Sequence, residues 1–533
     1  MRKIFFISVL ACVATFVNAQ PVNNANNLSD YSRKVAALFQ MVDQFYVDTL
    51  QEEKIVDDGI RSMLKDLDPH SVYIPAAELK QANEPLVGKF EGIGVQFNIL
   101  QDTILITGTV PGGPSEKLGI RAGDRIIKIE DSVVAGTKIK NNDVLKKLRG
   151  DKGTKVKVSL MRRGEVELLD YVITRDKIPL FSVDASFMLS PKIGYVKISR
   201  FADSTVEEFK EALDSLQKRG AENLVLDLQG NGGGYLNRAI ELADEFLTND
   251  KLIVFTEGRN NPRSENYSTT RGGFEKGKLI VLIDEGSASA SEIVSGAIQD
   301  WDRGLIIGRR SFGKGLVQKP YSLPDGSAVR LTIARYYTPS GRCIQKSYSK
   351  GDEDYDEELG ERTKNGELYY FDSIPRIDSL KRSTNAKRTV YGGGGITPDI
   401  FVPLDTSLNS KFYRDIIRKG LMIEFTLTYV DDNRSELKEK YPNISVFKTG
   451  FNTDEAFMKR FFDYCEKKEL KFDEEGYKTS GKALRTVMKA YIARDLWNTS
   501  AYFEIVSQLN EPLQVAIKAM NDNSFEKNKI SVR

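Results

Sequence analysis

The sequence predicts a multidomain α/β protein, with a β-rich module inserted ahead of an α/β core, a helical segment before the module and a helical domain after the core. Three observations predict it. The chain has 533 residues, 40% apolar and 29% charged, which exceeds one hydrophobic core and suits three or four domains of roughly 100 to 200 residues. Residues 88–177 have the texture of short alternating strands separated by glycine and proline turns. Residues 178–409 alternate helical periodicities with apolar runs such as Leu224–Leu228, Leu279–Ile283 and Leu305–Ile307, and such runs are usually strands buried on both faces.

Taken in order, residues 1–19 carry two positive side chains, an apolar run from Ile4 to Val17 and a small-residue end, which is the pattern of a signal peptide. Nothing downstream approaches the ~20 consecutive apolar residues of a membrane span, so an exported, periplasmic protein is expected. The rival is a lipoprotein box at Val9–Cys12 that acylates Cys12; the apolar run continues past Cys12 to a serviceable cleavage site, which favours the first reading. Cleavage leaves Cys343 and Cys465, too few for a disulfide framework and expected to be unrelated free thiols.

Residues 20–87 read as a helical lead-in, with Val35, Leu38, Phe39, Val42 and Tyr46 on one face, closing at Leu67-Asp68-Pro69-His70-Ser71. His70 is the only histidine and follows a proline at a helix terminus, where a capping or hydrogen-bonding role is expected. One histidine and two scattered cysteines do not assemble the usual nitrogen and sulfur ligand sets, so no metal or other cofactor is expected. The net charge of +2, from 77 basic and 75 acidic residues, offers no field of one sign to hold a nucleic acid. Residues 346–388 are polar, with an acidic run from Asp352 to Glu358, and read as a solvated insertion in the core. Residues 410–533 are helical and charged, with Leu484, Val487, Met488, Tyr491 and Ile492 on one face; no chemistry is visible there, and a structural or oligomer-forming domain is expected.

In the β-rich module, Phe90-Glu91-Gly92-Ile93-Gly94-Val95 is followed by a Pro114-Ser115-Glu116-Lys117-Leu118-Gly119-Ile120 helix start and an Ala122-Gly123-Asp124 turn, an order that resembles a bacterial-type PDZ domain. The Gly92, Ile93, Gly94 and Val95 loop can offer successive backbone N–H groups to a terminal carboxylate, while a neighbouring strand edge accepts an extended peptide. Arg149 matches a basic position of such modules and is the candidate for coupling peptide binding to the core.

The chemistry centres on Ser289-Ala290-Ser291-Glu292, which has the S-x-x-E form of a capping box. As a plain cap Ser289 needs no further role. Its companions point elsewhere. A helix N-terminus favours a developing oxyanion, and Gly232-Gly233-Gly234, following a buried strand, is a second source of N–H donors. Lys314, between Gly313 and Gly315, becomes a base if burial lowers its pKa from about 10.4. Gln318, four residues on, can hydrogen-bond Lys314 without adding charge, and Ser/Lys pairs are a variant of the serine triad.

Taken together, the PDZ loop, LDLQGNGGG, GSASASEI, GRRSFGKGLVQ, TPSGRCIQ and GGGGITPD resemble the C-terminal processing (tail-specific) peptidase family over roughly residues 60–402. The resemblance implies an endopeptidase with a crotonase-like core that takes protein or peptide substrates by accessible C-termini. It matches Ser289 to the nucleophile, Lys314 to the base, Gln318 to the residue positioning the lysine, and the N–H groups of Ala290 and Gly233 to the oxyanion donors. Gln229 stands where an arginine is common, and the tail beyond Ser410 exceeds compact members, which leaves homo-oligomer formation and any adaptor protein open. A catalytically silent PDZ scaffold is the alternative, against which the intact Ser289, Lys314 and Gln318 argue. A nucleotide-binding P-loop at Gly308–Lys314 fails because Gly315 replaces the Ser or Thr that holds magnesium. A crotonase-type acyl-thioester enzyme needs neither the pair nor the module.

Overall fold

The computed structural model describes residues 29–349 and 351–530. The signal peptide and Cys12 lie outside the described residues. The chain divides into two compact units, residues 1–63 and 64–533. The first contains helix α1 (Asp30–Phe45) and most of α2 (Glu52–Lys65), so the helical lead-in is broken at residues 46–51. Ser29 caps α1 by accepting from the Ser32 N–H at 3.3 Å, and no residue of α1 is buried.

The second unit opens with strand β1 (Val72–Ile74) and helix α3 (Ala76–Val87), which stops at Gly88 in the left-handed conformation, φ 70°. The β-rich module follows, through β2 (Lys89–Gly92), β3 (Val95–Leu100), β4 (Thr103–Thr109), α4 (Pro114–Lys117), β5 (Arg125–Ile129), β6 (Ser132–Val133), α5 (Asn141–Leu148), β7 (Lys155–Met161), β8 (Leu169–Thr174) and β9 (Asp176–Pro179). Its sheet runs β3-β4-β5-β7-β8, with β6 on β5, around Ile104, Ile126, Val144, Leu160 and Ile173. Strands β2 and β9 pair antiparallel, a two-stranded stem where the module leaves and rejoins the chain.

The core comprises β10 (Val183–Ser190), β11 (Ile193–Ile198), α6 (Thr205–Lys218), β12 (Asn223–Asp227), α7 (Leu236–Asp244), β13 (Leu252–Gly258), β14 (Asn261–Tyr267), β15 (Leu279–Ile283), α8 (Ala290–Asp300), β16 (Leu305–Gly308), β17 (Leu316–Ser322), β18 (Ala328–Tyr337), α9 (Asp352–Lys364), β19 (Lys381–Ser383), β20 (Thr389–Tyr391) and β21 (Ile400–Phe401). Its main sheet is β10-β11-β12-β15-β16-β21, parallel from β11 to β21. Every residue of β15 and β16 is buried, as their unbroken apolar runs predict. Helices α6, α7 and α8 pack on one face through Phe209, Leu242 and Ile293. A second sheet, β1-β18-β13-β14 with β17 on β18, stands beside it.

The C-terminal region is helical, as predicted: α10 (Lys411–Arg418), α11 (Leu421–Lys440), α12 (Ile444–Gly450), α13 (Glu455–Lys467), α14 (Glu474–Leu496), α15 (Thr499–Val506), α16 (Glu511–Asn521) and α17 (Ser524–Lys527). It packs on the rest of the second unit as well as on itself. While α10 to α15 build their own aromatic core around Phe425, Phe447 and Phe461, Leu513, Met520 and Phe525 of α16 and α17 cover the second face of the main sheet against Val225, Ile280 and Leu305. Helix α11 also holds the β-rich module, through the Arg125–Asp431 ion pair at 2.7 Å and the contact of Ile423 and Leu427 with Leu100 and Leu105.

Residues 346–388 are mostly exposed, as a polar insertion should be, but they also carry a few buried side chains that the sequence does not announce. The acidic run folds as α9, with Tyr355 and Arg362 buried. Arg310 pairs with Glu367 through two contacts of 2.5 and 2.7 Å, Arg362 with Glu358 at 2.6 Å, and Lys346 with Glu358 at 3.1 Å. Charge-rich sequence reads as surface, yet opposite charges paired in this way can be packed inside. Cys343 and Cys465 are both free thiols, and among the described residues no helix is long and apolar enough to cross a membrane.

Candidate active site

Ser289 sits between strand β15 and helix α8 in a backbone conformation rare for a residue with a side chain, φ 54° and ψ −111°. Such a turn presents the hydroxyl at the helix N-terminus. Gly233 packs directly against it: a Cβ there would lie 2.7 Å from Ser289 Cβ and 2.9 Å from the Ala288 oxygen, and its φ is 100°. Only glycine fits. The buried Asn231 orders both segments, accepting the Ala288 N–H and the Ser291 hydroxyl on its carbonyl oxygen at 2.9 and 2.8 Å. Its side-chain Oδ1 accepts the Gly233 N–H at 2.9 Å, so this expected oxyanion donor is engaged at rest. The Ala290 N–H, at the first position of α8, has no acceptor among the described residues.

Lys314 and Ser289 line one cleft of about 500 Å³, together with Gly233, Gln318, Arg330 and Tyr336. Lys314 Nζ donates to Gln318 Oε1 at 3.2 Å, the pairing expected from their spacing. No hydrogen bond joins Lys314 Nζ to Ser289 Oγ among the described residues. Burial first, then the charge of Arg330, lowers the lysine pKa, opposed by Asp68 and Glu292.

Glu292 is the residue that reading the motif as a cap undervalues. Its carboxylate is fully buried and accepts from four donors: the Ser289 N–H at 2.8 Å, the Lys314 N–H at 2.9 Å, the Gly313 N–H at 2.8 Å and the Ser311 hydroxyl at 2.5 Å. Burial pushes its pKa up to about 7 against those four bonds. Tyr336, also buried, directs its hydroxyl at both the Ser289 and Lys314 carbonyl oxygens. The half of this arrangement legible in sequence is the glutamate three residues after the serine.

His70 lies in the site despite its distance along the chain, and not as a base. Its carbonyl oxygen accepts from Gln318 Nε2. Its ring Nε2 is 2.8 Å from the Tyr355 hydroxyl of α9, and burial together with the Lys314 charge lowers its pKa to about 4. The expected hydrogen-bonding role is there, in a place the spacing gives no sign of.

In the β-rich module, Gly92 ends β2, Ile93 is buried in the module core, Gly94 has φ 73° and Val95 begins β3. The Ile93 and Gly94 carbonyls accept the Ser115 and Val110 N–H groups at 3.2 and 2.9 Å, while the Ile93 and Gly94 N–H groups have no acceptor among the described residues. Arg149 stacks over Phe90 at 4.5 Å and pairs with Glu84 of α3 at 2.6 Å. Asn83, Leu86 and Val87 of that helix line the cleft of Ser289.

A catalytic-type serine and lysine in one cleft, beside a peptide-binding type of module, define the class as a PDZ-bearing serine peptidase, and comparison with known proteins agrees. Residues 192–355 match the model of peptidase family S41, residues 92–172 that of the PDZ domain, and residues 412–498 that of a family of unknown function. The carboxy-terminal processing protease CtpA of Bacillus subtilis (strain 168) is 34% identical over 476 residues, covering 87% of this chain and 95% of the relative. The carboxy-terminal-processing protease of Bartonella bacilliformis is 35% identical over 352 residues, covering 64% of this chain and 80% of the relative. Among solved structures, the photosystem II D1 C-terminal processing protease is 25% identical over 70% of this chain and 94% of that one, with a TM-score of 0.36. The chain belongs to the carboxy-terminal processing protease family and is a serine-type peptidase with a PDZ domain that binds protein or peptide substrates.

Proposed function

We propose that Ser289 is the nucleophile and Lys314 the general base of an exported endopeptidase that takes substrates by their C-terminal regions. The observation that carries this is the strained Ser289 sharing a cleft with a lysine whose pKa is lowered and whose ammonium is held by a neutral amide, Gln318. Neutral Lys314 removes the Ser289 proton as the hydroxyl oxygen attacks the peptide carbon, then returns it to the departing amine; water, activated in the same way, releases the acyl group. The oxyanion is received by the Ala290 N–H and by the Gly233 N–H once the latter leaves Asn231. Closing the site therefore requires Lys314 Nζ to approach Ser289 Oγ and the glycine run to turn.

Substrate reading falls to the Gly92–Val95 loop, whose Ile93 and Gly94 N–H groups have no acceptor among the described residues. The Arg149–Glu84 pair supports coupling, since α3 meets the module on one side and the catalytic cleft on the other. The signal-peptide pattern of residues 1–19 supports export, to the periplasm on this reading. Self-association is proposed as well, with an amphipathic α1 that leaves Val35, Leu38 and Phe45 exposed as the segment to test by light scattering. The catalytic assignment is tested by intact-mass spectrometry after a fluorophosphonate probe. One adduct on the mature enzyme is expected and none on Ser289→Ala; an equal adduct on both proteins contradicts it.

A further inference from the structure

We propose that the Asp68–Ser71 turn is a positioning element for this reaction, in which His70, braced by Tyr355 of α9, sets the Gln318 amide and through it Lys314. The inference deepens the Ser289–Lys314 reading and rests on it.

An amide has two unlike ends. The His70 carbonyl oxygen can only accept, so the Gln318 NH2 must face it, and Oε1 is thereby turned to Lys314 Nζ at 3.2 Å. Gln318 has no such preference of its own. The carbonyl is held in place by a dense local network. Asp68 Oδ1 accepts the His70 and Ser71 N–H groups at 2.9 and 3.0 Å, and its Oδ2 accepts the Ser71 hydroxyl at 2.7 Å. The turn is fastened to the strand opposite Gln318. Thr332, the register partner of Gln318, donates its hydroxyl to Asp68 Oδ1 at 3.0 Å and its N–H to Ser71 Oγ at 3.1 Å.

The second support comes from α9. Tyr355 is 3% exposed, its ring meets His70 edge-on at 5.3 Å and Phe312 at 5.9 Å, and its hydroxyl reaches His70 Nε2 at 2.8 Å. The same helix sends Arg362 to the Ser311 and Phe312 carbonyl oxygens at 2.8 and 3.0 Å, just ahead of Lys314. So α9 fixes the loop that carries the lysine and also the turn that orients the lysine's partner. The Nε2 atom of the His70 ring is engaged in this bracing, which accounts for a half-buried histidine beside the site that is not bonded to Ser289.

The test is a double-mutant cycle on the full mature chain with an unstructured peptide substrate. His70→Ala and Tyr355→Phe are measured alone and in a Gln318→Ala background. Each is expected to lower kcat about tenfold with KM within about twofold, and to change kcat by less than about twofold once Gln318 is already gone. His70→Gln, which can still meet the Tyr355 hydroxyl, is expected to recover much of the loss. Equal losses in both backgrounds, an unchanged kcat, or a change in KM alone would overturn the positioning role. Should His70→Ala fail to fold, Tyr355→Phe carries the test, because it removes one hydroxyl and keeps the ring packing. Its hydroxyl also lies 3.5 Å from Gln345 Nε2, and a loss that persists without Gln318 would assign the effect to that route instead. Ser289→Ala and Lys314→Ala run alongside. Activity in them removes the dyad reading, whereas inactivity in them with an additive cycle removes only the positioning role.

Discussion

The backbone N–H groups of Ser289 and Lys314 donate to the same atom, Oε2 of Glu292, at 2.8 and 2.9 Å. On the opposite side their carbonyl oxygens share the Tyr336 hydroxyl. Two segments from different loops are thus held at both edges of their peptide planes, and the distance between serine and lysine is set by main chain before either side chain moves.

Glu292→Gln replaces a four-bond acceptor by an amide whose NH2 must face N–H or O–H donors. A buried donor left unmatched costs about 1 to 3 kcal/mol, so thermal unfolding should show a loss of that size. Turnover should fall by about a hundredfold or more, because a small displacement of a catalytic pair is costly. A variant with wild-type kcat would show that the shared carboxylate is dispensable.

Gly233→Ala places a methyl 2.7 Å from Ser289 Cβ and 2.9 Å from the Ala288 oxygen, in a backbone conformation with φ 100°. The elbow must shift or the glycine run must refold. Hydrolysis and fluorophosphonate labelling of Ser289 should both fall by about a hundredfold, while a peptide bound only by the PDZ domain keeps its affinity. Gly232→Ala, which meets nothing within 4 Å, is the matched control and should be mild.

The acid limb of kcat/KM should follow Lys314. Only the neutral amine accepts a proton, and burial lowers its pKa below 10.5, so activity rises with pH and levels off below the usual lysine range. Stability moves in two directions. Lys314 binds its proton less tightly folded than unfolded, so its contribution rises with pH between its folded pKa and 10.5. Glu292 binds its proton more tightly folded, so its contribution is full below 4.5 and is lost as pH rises through about 7. Chemical denaturation of wild type and Glu292→Gln across pH 4 to 8 separates the two: the stability advantage of wild type should shrink as pH rises through that window, and a pH-independent or growing advantage contradicts a raised Glu292 pKa.

Free-acid peptides should be cut faster than C-terminally amidated ones at concentrations well below KM, through a higher KM for the amide. Arg149→Ala should remove part of that preference. If the Arg149–Glu84 pair couples module and cleft, Glu84→Ala changes kcat as well as KM; a change in KM alone assigns the pair to binding.

Much of the fold is legible because hydrophobicity alone encodes it. Leu279–Ile283 and Leu305–Ile307 are apolar throughout, and both are central strands. Ser289, Lys314 and Gln318 are legible as candidates because their motifs are local, and the fold brings them to one cleft. What stays hidden depends on contacts across long sequence separations. The His70 carbonyl meets Gln318 across 248 positions, and a backbone oxygen leaves no mark in a sequence. The few buried ion pairs within residues 346–388 stay hidden for the same reason, since Arg310, Arg362 and Lys346 find Glu358 and Glu367 only in the fold. The covering of the main sheet by Leu513, Met520 and Phe525 is equally silent, since an apolar helix face does not say what it packs against.

The most direct measurement is peptide hydrolysis by purified mature enzyme beside Ser289→Ala, Lys314→Ala and Lys314→Arg, each checked for native circular dichroism. All three should be inactive to within about a thousandth of wild type, with Lys314→Arg no better than Lys314→Ala because guanidinium keeps its proton. More than a few per cent of wild-type turnover in a folded Ser289→Ala enzyme would contradict the assignment of nucleophile and base.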